Sequence, residues 1–377
     1  MYNRHMKIAV FYYLPASGAK RVVHEHVKGL RRKGHSVDLY TYPNTDTFFD
    51  PAEFANQTYL YEYKKKIVSL PFLRKISSDV SDFILLKNLH RKMAAAIDNR
   101  NYDVVLVHTD SYTQAPFLLQ FLKTKHVYFC LEPLRIAHEY AFRVKNLGML
   151  STLYESFNRF IRKTIDRANA RAAKHTIAIS FFGRELMIQA FDIYPSVSYI
   201  GVDTTVFKKK TVKKKNQILF VGQKLAVNGY DFALAAMDLL PKKNRPTLEV
   251  LSWTKNKNDR ISDEQLATKY NESLLTLSLS TFDTFGLVPL ESLACGTPVI
   301  AFNVAGYRET MQHEKSGYLV EFDANEIAKT IQMLVADRAL RQNIGEVGRQ
   351  WVQQEWTWEK HINHVESLLT KFGQNYQ

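Results

Sequence analysis

Cysteine is nearly absent from this 377-residue chain: Cys130 and Cys295 are its only two, each inside an apolar run. No CxxC pair or Cys/His metal spacing can be built from them, so a disulfide framework and a zinc site are excluded and buried thiols in a reducing compartment are expected. D-x-D motifs and histidine clusters are also missing, and no metal requirement is expected. Long apolar runs are lacking too. No uncharged stretch approaches the roughly 18 residues that cross a bilayer, and IAVFYYLPA (8–16) is too short for a signal segment and has no credible cleavage site. The expectation is a cytoplasmic protein. Recognition-helix, RNP-like and zinc-finger patterns do not occur, which argues against a nucleic-acid partner.

What is abundant is positive charge, and it is uneven. Residues 1–200 hold 29 Lys and Arg against 17 Asp and Glu, a net of +12 out of the chain's +14, leaving +2 for residues 201–377. Such a field attracts anionic lipid headgroups or phosphate-bearing substrates. With 46% hydrophobic residues and a length beyond one ordinary core, two domains are expected.

Strand and helix signals alternate along the chain. KIAVFYYL (7–14) ends at Pro15 and Gly18, and RVVHEHVKGLRRKG (21–34) has helical spacing at Val23, Val27 and Leu30, with Gly34 suited to the C-terminal cap. Apolar runs follow at 103–108, 126–131 and 175–180, separated by helical segments that include 150–167, which reads as a parallel α/β domain over residues 1–201. VDTTVFKKKTVKKKN (202–216) has no amphipathic period and is assigned as the linker. A second set of strands at 217–222, 248–253, 273–280 and 298–302 marks a second such domain over 217–355, followed by a closing helix within 356–377. In open parallel sheets, ligands sit beyond the carboxyl ends of the strands, so chemistry is expected at those loops.

STFDTFGLVPLESLACGTPVIAFNVAGYRETM (280–311) is the most informative segment. Its pattern predicts a strand ending near Ser280, a loop presenting the Asp283 carboxylate and the N–H groups of Phe285, Gly286 and Leu287, and a helix from near Pro289 with Glu291 in its first turn. A helix N-terminus favours a phosphorylated ligand, and the two carboxylates suit sugar hydroxyls.

The ordered set Asp283, Phe285, Gly286, Glu291, Ala294, Gly296, Pro298, Val299, Ile300, Ala301, Gly306 and Glu309 resembles the signature of the retaining glycosyltransferases of family 4. Weaker matches at 17–41, 171–187, 201–207 and 356–369 extend that resemblance over nearly the whole chain. The resemblance implies a GT-B fold of two Rossmann-like domains facing across a cleft, with the last helix returning to the N-terminal domain. It implies transfer of a sugar from a nucleotide-sugar donor to a glycan or lipid-linked acceptor with retention of configuration, in cell-surface glycan or glycolipid synthesis, without a metal. Under it, Asp283 and the neighbouring amides of Phe285, Gly286 and Leu287 hold the donor sugar, Glu291 holds the ribose hydroxyls, and Gly18 and Gly222 let the backbone approach the donor. CLEPLR (130–135) places Glu132 and Arg135 on the acceptor side, with His108 as a further candidate there.

Departures from the family pattern fall on the chemistry. Gln223 and Asn228 stand where an Arg and a Lys usually cradle the diphosphate, leaving Lys224 as the substitute cation. Asp283 replaces a Glu, Leu131 replaces a His, and only TKNKND separates LEVLSW from ISDEQLATKYN, shortening the second domain. They support an alternative, a degenerate GT-B protein that binds a glycan or partner without turnover. Finally, two basic segments are candidates for an anionic membrane surface. MLSTLYESFNRFIRKTI (149–165) also suits a core-facing helix, whereas EYKKKIVSLPFLRKI (62–76), with its charges beside Pro71, is the better candidate.

Overall fold

The computed structural model describes residues 5–43, 46–64, 71–138, 148–252 and 261–373. They group into two compact units. The first comprises residues 1–179, 183–198 and 362–377, and the second 180–182 and 199–361.

In the first unit the elements run β1 (Lys7–Tyr13), α1 (Gly18–Arg32), β2 (Ser36–Thr41), β3 (Gln57–Leu60), α2 (Pro71–Asp98), β4 (Val104–Asp110), β5 (His126–Cys130), α3 (Arg135–His138), α4 (Met149–Ala172), β6 (His175–Ala178), α5 (Phe181–Phe191) and β7 (Ser196–Val197). Every strand pairing is parallel, in the order β3-β2-β1-β4-β5-β6-β7. Helices cover both faces of such a sheet, which explains why β4 is apolar along most of its length and buried at all seven positions. Helix α1 starts where the Ser17 hydroxyl accepts from the Lys20 amide, buries Val23, Val27 and Leu30, and stops at Gly34, whose φ of +90° lies in the left-handed region.

The second unit contains β8 (Gln217–Val221), α6 (Tyr230–Leu239), β9 (Thr247–Leu251), α7 (Asp263–Glu272), β10 (Leu275–Ser278), α8 (Leu287–Ala294), β11 (Val299–Phe302), α9 (Tyr307–Thr310), β12 (Tyr318–Val320), α10 (Ala324–Ala336), α11 (Arg338–Glu355) and the first turn of α12 (Trp358–Gly373). Its sheet, again all parallel, has the order β12-β11-β10-β8-β9. Residues 362–373 of α12 belong to the first unit, where the Glu366 carboxylate accepts from Lys33 and meets His35 Nε2 at 2.8 Å. Ile362 there fills the space left by Gly29, at which a Cβ would stand 2.6 Å from the isoleucine.

Residues 202–216 form no long element, as their missing period suggests, but they are fastened along the second unit. The Val202 amide donates to Trp356 O at 2.8 Å, Phe207 is buried, and the Lys210 amide donates to Asn271 Oδ1 at 2.7 Å. The expected shortening after β9 falls on residues 253–260, outside the described residues.

Candidate functional site

Each sheet has one place where neighbouring connections diverge to opposite faces. In the second unit it lies between β8 and β10, and ligands of open α/β sheets bind beyond the carboxyl ends of such strands. The loops there are clasped together. Val227 O accepts from the Thr281 amide at 3.0 Å and from its hydroxyl at 3.1 Å. Gly229 (φ +70°) lies so close to Leu279 that a Cβ would stand 1.9 Å from the leucine carbonyl oxygen. Only glycine fits that approach. Gly222 is buried and its amide donates to Leu251 O at 2.9 Å, while Gln223 and Lys224 beside it are exposed. The Lys224 ammonium lies 6.0 Å from the Tyr230 ring centroid.

After β10 the chain reaches Asp283, half-buried, whose Oδ1 accepts from the Phe285 amide at 3.1 Å. Gly286 (φ +100°) then turns the chain into α8, and no side chain caps the first amides of that helix. Helix α8 begins at Leu287, two residues before the expected start near Pro289, with Pro289 tolerated inside its first turn, so Glu291 lies two positions further into the helix than the sequence suggested. It is also buried.

Three carboxylates of the 280–311 segment are each oriented by a tyrosine hydroxyl. Tyr270 donates to Glu291 Oε2 at 3.0 Å, Tyr307 to Asp283 Oδ2 at 3.4 Å and Tyr199 to Glu309 Oε2 at 2.8 Å. Glu309 is further committed to the amides of Phe181 and Phe182, both at 2.8 Å. Burial first, and then the Asp283 charge, push the Tyr307 phenol well above its ordinary range, so it stays a donor at any working pH. Sequence reasoning missed these tyrosines. Tyr307 directly follows Gly306 in the signature segment, but no spacing rule ties Tyr270 or Tyr199 to an acid.

In the first unit the corresponding divergence lies between β1 and β4. The Ser111 amide and hydroxyl both donate to Tyr13 O, at 2.9 and 2.8 Å, and the Tyr13 and Tyr112 rings stack at 5.2 Å. Gly18 opens α1 without a positive φ, so a left-handed turn is not what this position requires. Glu132 and Arg135 lie on the half-buried segment after β5, 4.0 Å apart. The buried Asp166 carboxylate holds that segment, accepting from the amides of Ala115 and Leu134 and meeting His138 Nε2 at 3.2 Å. His108, proposed on the acceptor side, is fully buried instead. It sits on central strand β4 between neighbouring strands, its Nε2 is 3.1 Å from His26 Nδ1, and it packs on Phe129. Close by, burial holds the His90 imidazole down at about 3 and the Asp110 carboxyl up at about 7.

Residues 16–206 match the model of Glycosyltransferase Family 4, and residues 259–351 that of Glycosyl transferases group 1. The chain belongs to glycosyltransferase family 4. It is similar to N-acetyl-alpha-D-glucosaminyl L-malate synthase of Bacillus anthracis, with 39% identity over 95 residues, a stretch covering about a quarter of each protein (25% and 25%). An uncharacterized glycosyltransferase of Methanocaldococcus jannaschii is 20% identical over 88% of both chains. Among solved structures, sucrose-phosphate synthase from Thermosynechococcus elongatus superposes with a TM-score of 0.71 at 18% identity over 97% of this chain and 99% of that one. Anabaena HepE, solved with UDP-glucose, gives 0.69 at 15% identity, covering 97% of this chain and 100% of the other. The fold of this family 4 chain is therefore GT-B, built from two parallel α/β units.

Proposed function

We propose that this family 4 chain transfers a sugar from a nucleotide-sugar donor to a glycan or lipid-linked acceptor, with retention of anomeric configuration. The observation that carries this reading is the clasped pair of loops at the divergence point of the second sheet, which bears Lys224, Asp283 and the uncapped start of α8. There the α8 amides and Lys224 stabilise the charge that develops on the leaving diphosphate, an electrostatic contribution worth several kcal/mol in a closed, dry site. Asp283 receives the donor sugar and Glu291, fixed by Tyr270, the ribose hydroxyls. A diphosphate oxygen helps take the acceptor proton, so no protein nucleophile and no metal are needed. HepE with UDP-glucose supports the donor class. Glu132 and Arg135 serve the acceptor. The experiment is a binding titration with free nucleotide and nucleotide sugar. Glu291→Ala is expected to weaken both ligands and Asp283→Ala to spare the free nucleotide; equal losses of both ligands in both variants would overturn the assignment.

The same reading places the protein on an anionic membrane, at its inner face, in synthesis of a cell-surface glycan. Helix α4 supports it. Met149, Leu153, Phe157 and Phe160 follow one another at helical spacing and are 77%, 61%, 63% and 67% exposed. Val80 and Ile84 of neighbouring α2 are exposed too, and the two helices are tied by Arg162, which bonds Asp79 at 2.6 Å. Exposed cations Arg74 and Lys163 accompany this apolar surface, and Lys75 beside them is paired with Glu155. Helix α4 does not turn these four residues to the core. Of the other basic segment, 62–76, Lys65, Lys66 and Leu70 lie outside the described residues, and Lys64 is paired with Glu62 at 2.9 Å. No helix among the described residues is long and apolar enough to cross a membrane.

A further inference from the structure

A cavity of about 430 Å³ opens in the second unit at the amino-terminal ends of its strands, the opposite end from the loops after β8 and β10. Its walls come from the segment before β8, from Leu274 just before β10, from Gly296 and Pro298 just before β11, and from the first turns of α11. Four cations line it, Lys213, Lys214, Arg338 and Arg341, and no carboxylate does.

Neighbouring cations are neutralised by ion pairs. Lys209 meets Glu346 at 3.2 Å and Lys215 meets Glu272 at 2.6 Å. Among the described residues, none of the four cavity cations has such a partner. The Lys214 ammonium donates to Ser273 O at 2.7 Å and Thr297 Oγ1 at 3.0 Å, and Arg341 donates to Leu334 O and Val335 O, all neutral acceptors. The position of Arg338 and Arg341 runs against local preference, because the positive end of a helix favours acids and disfavours cations. The first turn of α11 contains no acid, and the one nearby, Asp337, is the cap that accepts from the Leu340 amide at 2.8 Å. The scaffold is rigid here. Gly345 of α11 packs so closely on the preceding loop that a Cβ would lie 2.2 Å from Gly296 O.

Four uncompensated cations, a helix N-terminus and a cavity converge on one ligand chemistry. We propose that this cavity binds a small phosphorylated anion bearing at least two charges, of the pyrophosphate type, and that the bound anion ties the 208–215 segment to the start of α11. The lining holds no aromatic ring on which a base could stack, which favours the bare phosphorylated group over a nucleotide. The cavity is separate from the donor site, so the proposal stands independently of the transferase reading.

The test is calorimetric titration of the full chain with sodium pyrophosphate at fixed ionic strength. The variants are K213Q/R338Q, K242Q/K243Q, which removes the same charge from exposed lysines elsewhere on the unit, and K224Q, which alters the proposed donor site. The side chains of Lys213 and Arg338 are exposed and make no hydrogen bond to described residues, so K213Q/R338Q is expected to melt at the wild-type temperature. Pyrophosphate should bind the wild type and K242Q/K243Q alike and K213Q/R338Q at least tenfold more weakly, as expected when charge-assisted contacts are removed, while K224Q loses only a separate component at the donor loops and keeps the one that K213Q/R338Q removes. Absence of binding to the wild type, equal weakening in both double variants, or loss confined to K224Q would each overturn the proposal.

Discussion

Replacing Tyr270 by Phe isolates one interaction at the candidate site. The ring stays in its fully buried place, so no cavity forms, and the change removes a hydroxyl that donates over 3.0 Å to the Glu291 carboxylate, itself 4% exposed. A hydrogen bond to a buried charged group is worth about 1.5–3 kcal/mol, and losing the donor leaves the carboxylate under-solvated. Tyr307→Phe provides the comparison. Its bond to Asp283 is longer, at 3.4 Å, and the half-buried carboxylate keeps the Phe285 amide at 3.1 Å, but the same hydroxyl accepts from the buried Ser278 Oγ at 2.9 Å, so the loss should be about 1–3 kcal/mol, with the nucleotide-binding acid Glu291 untouched. Urea unfolding of the full chain reads both values from shifts in midpoint at constant m. Nucleotide affinity should fall for Tyr270→Phe, because Glu291 no longer holds one orientation. Wild-type stability in Tyr270→Phe, or unchanged nucleotide affinity in that variant, would refute the idea that tyrosines orient these acids.

Gly229→Ala should destabilise the second unit by about 3 kcal/mol or more, since its Cβ would overlap Leu279 O at 1.9 Å in a left-handed conformation; thermal unfolding near the wild-type midpoint would contradict this. Burial raises the Asp110 carboxyl to about 7 from 3.8, so the stability tied to its proton is complete below the unfolded value and is lost as pH rises through about 7. Asp110→Asn mimics the protonated acid and should therefore gain on the wild type between pH 5 and 8 in urea midpoints, whereas a pH-independent difference would refute the assignment. Leu153→Ser/Phe157→Ser/Phe160→Ser should lower cosedimentation with anionic vesicles at least tenfold, given about 1.5–3 kcal/mol for each buried large apolar side chain. Wild-type binding should itself fall at high salt, and equal partition to neutral vesicles would remove the membrane from the account.

The order of elements was legible because parallel strands buried on both faces read as apolar runs, as β4 and β8 do. Helix α1 was legible for a different reason, its spacing at Val23, Val27 and Leu30. Periodicity did not reveal which way α4 faces. Its apolar residues form a stripe wide enough for two sides, with Tyr154, Ile161 and Ile165 half-buried and Leu153, Phe157 and Phe160 exposed. At the site, the turn at Gly286 was readable from composition. The depth of Glu291 was not, because it depends on Tyr270, 21 positions earlier and on another helix. His108 shows the same limit. Histidine on a strand suggests a ligand contact, yet its environment is set by α1 and β5, which bring His26 and Phe129 against it.

The central claim, turnover of a nucleotide sugar at the loops after β8 and β10, is tested most directly by nucleotide release from UDP-, GDP- and ADP-sugars with the wild type and Glu291→Ala. One donor class should release nucleotide with the wild type and at least a hundredfold more slowly with the variant. No binding and no release with any of the three classes, or equal release by both proteins, would contradict it.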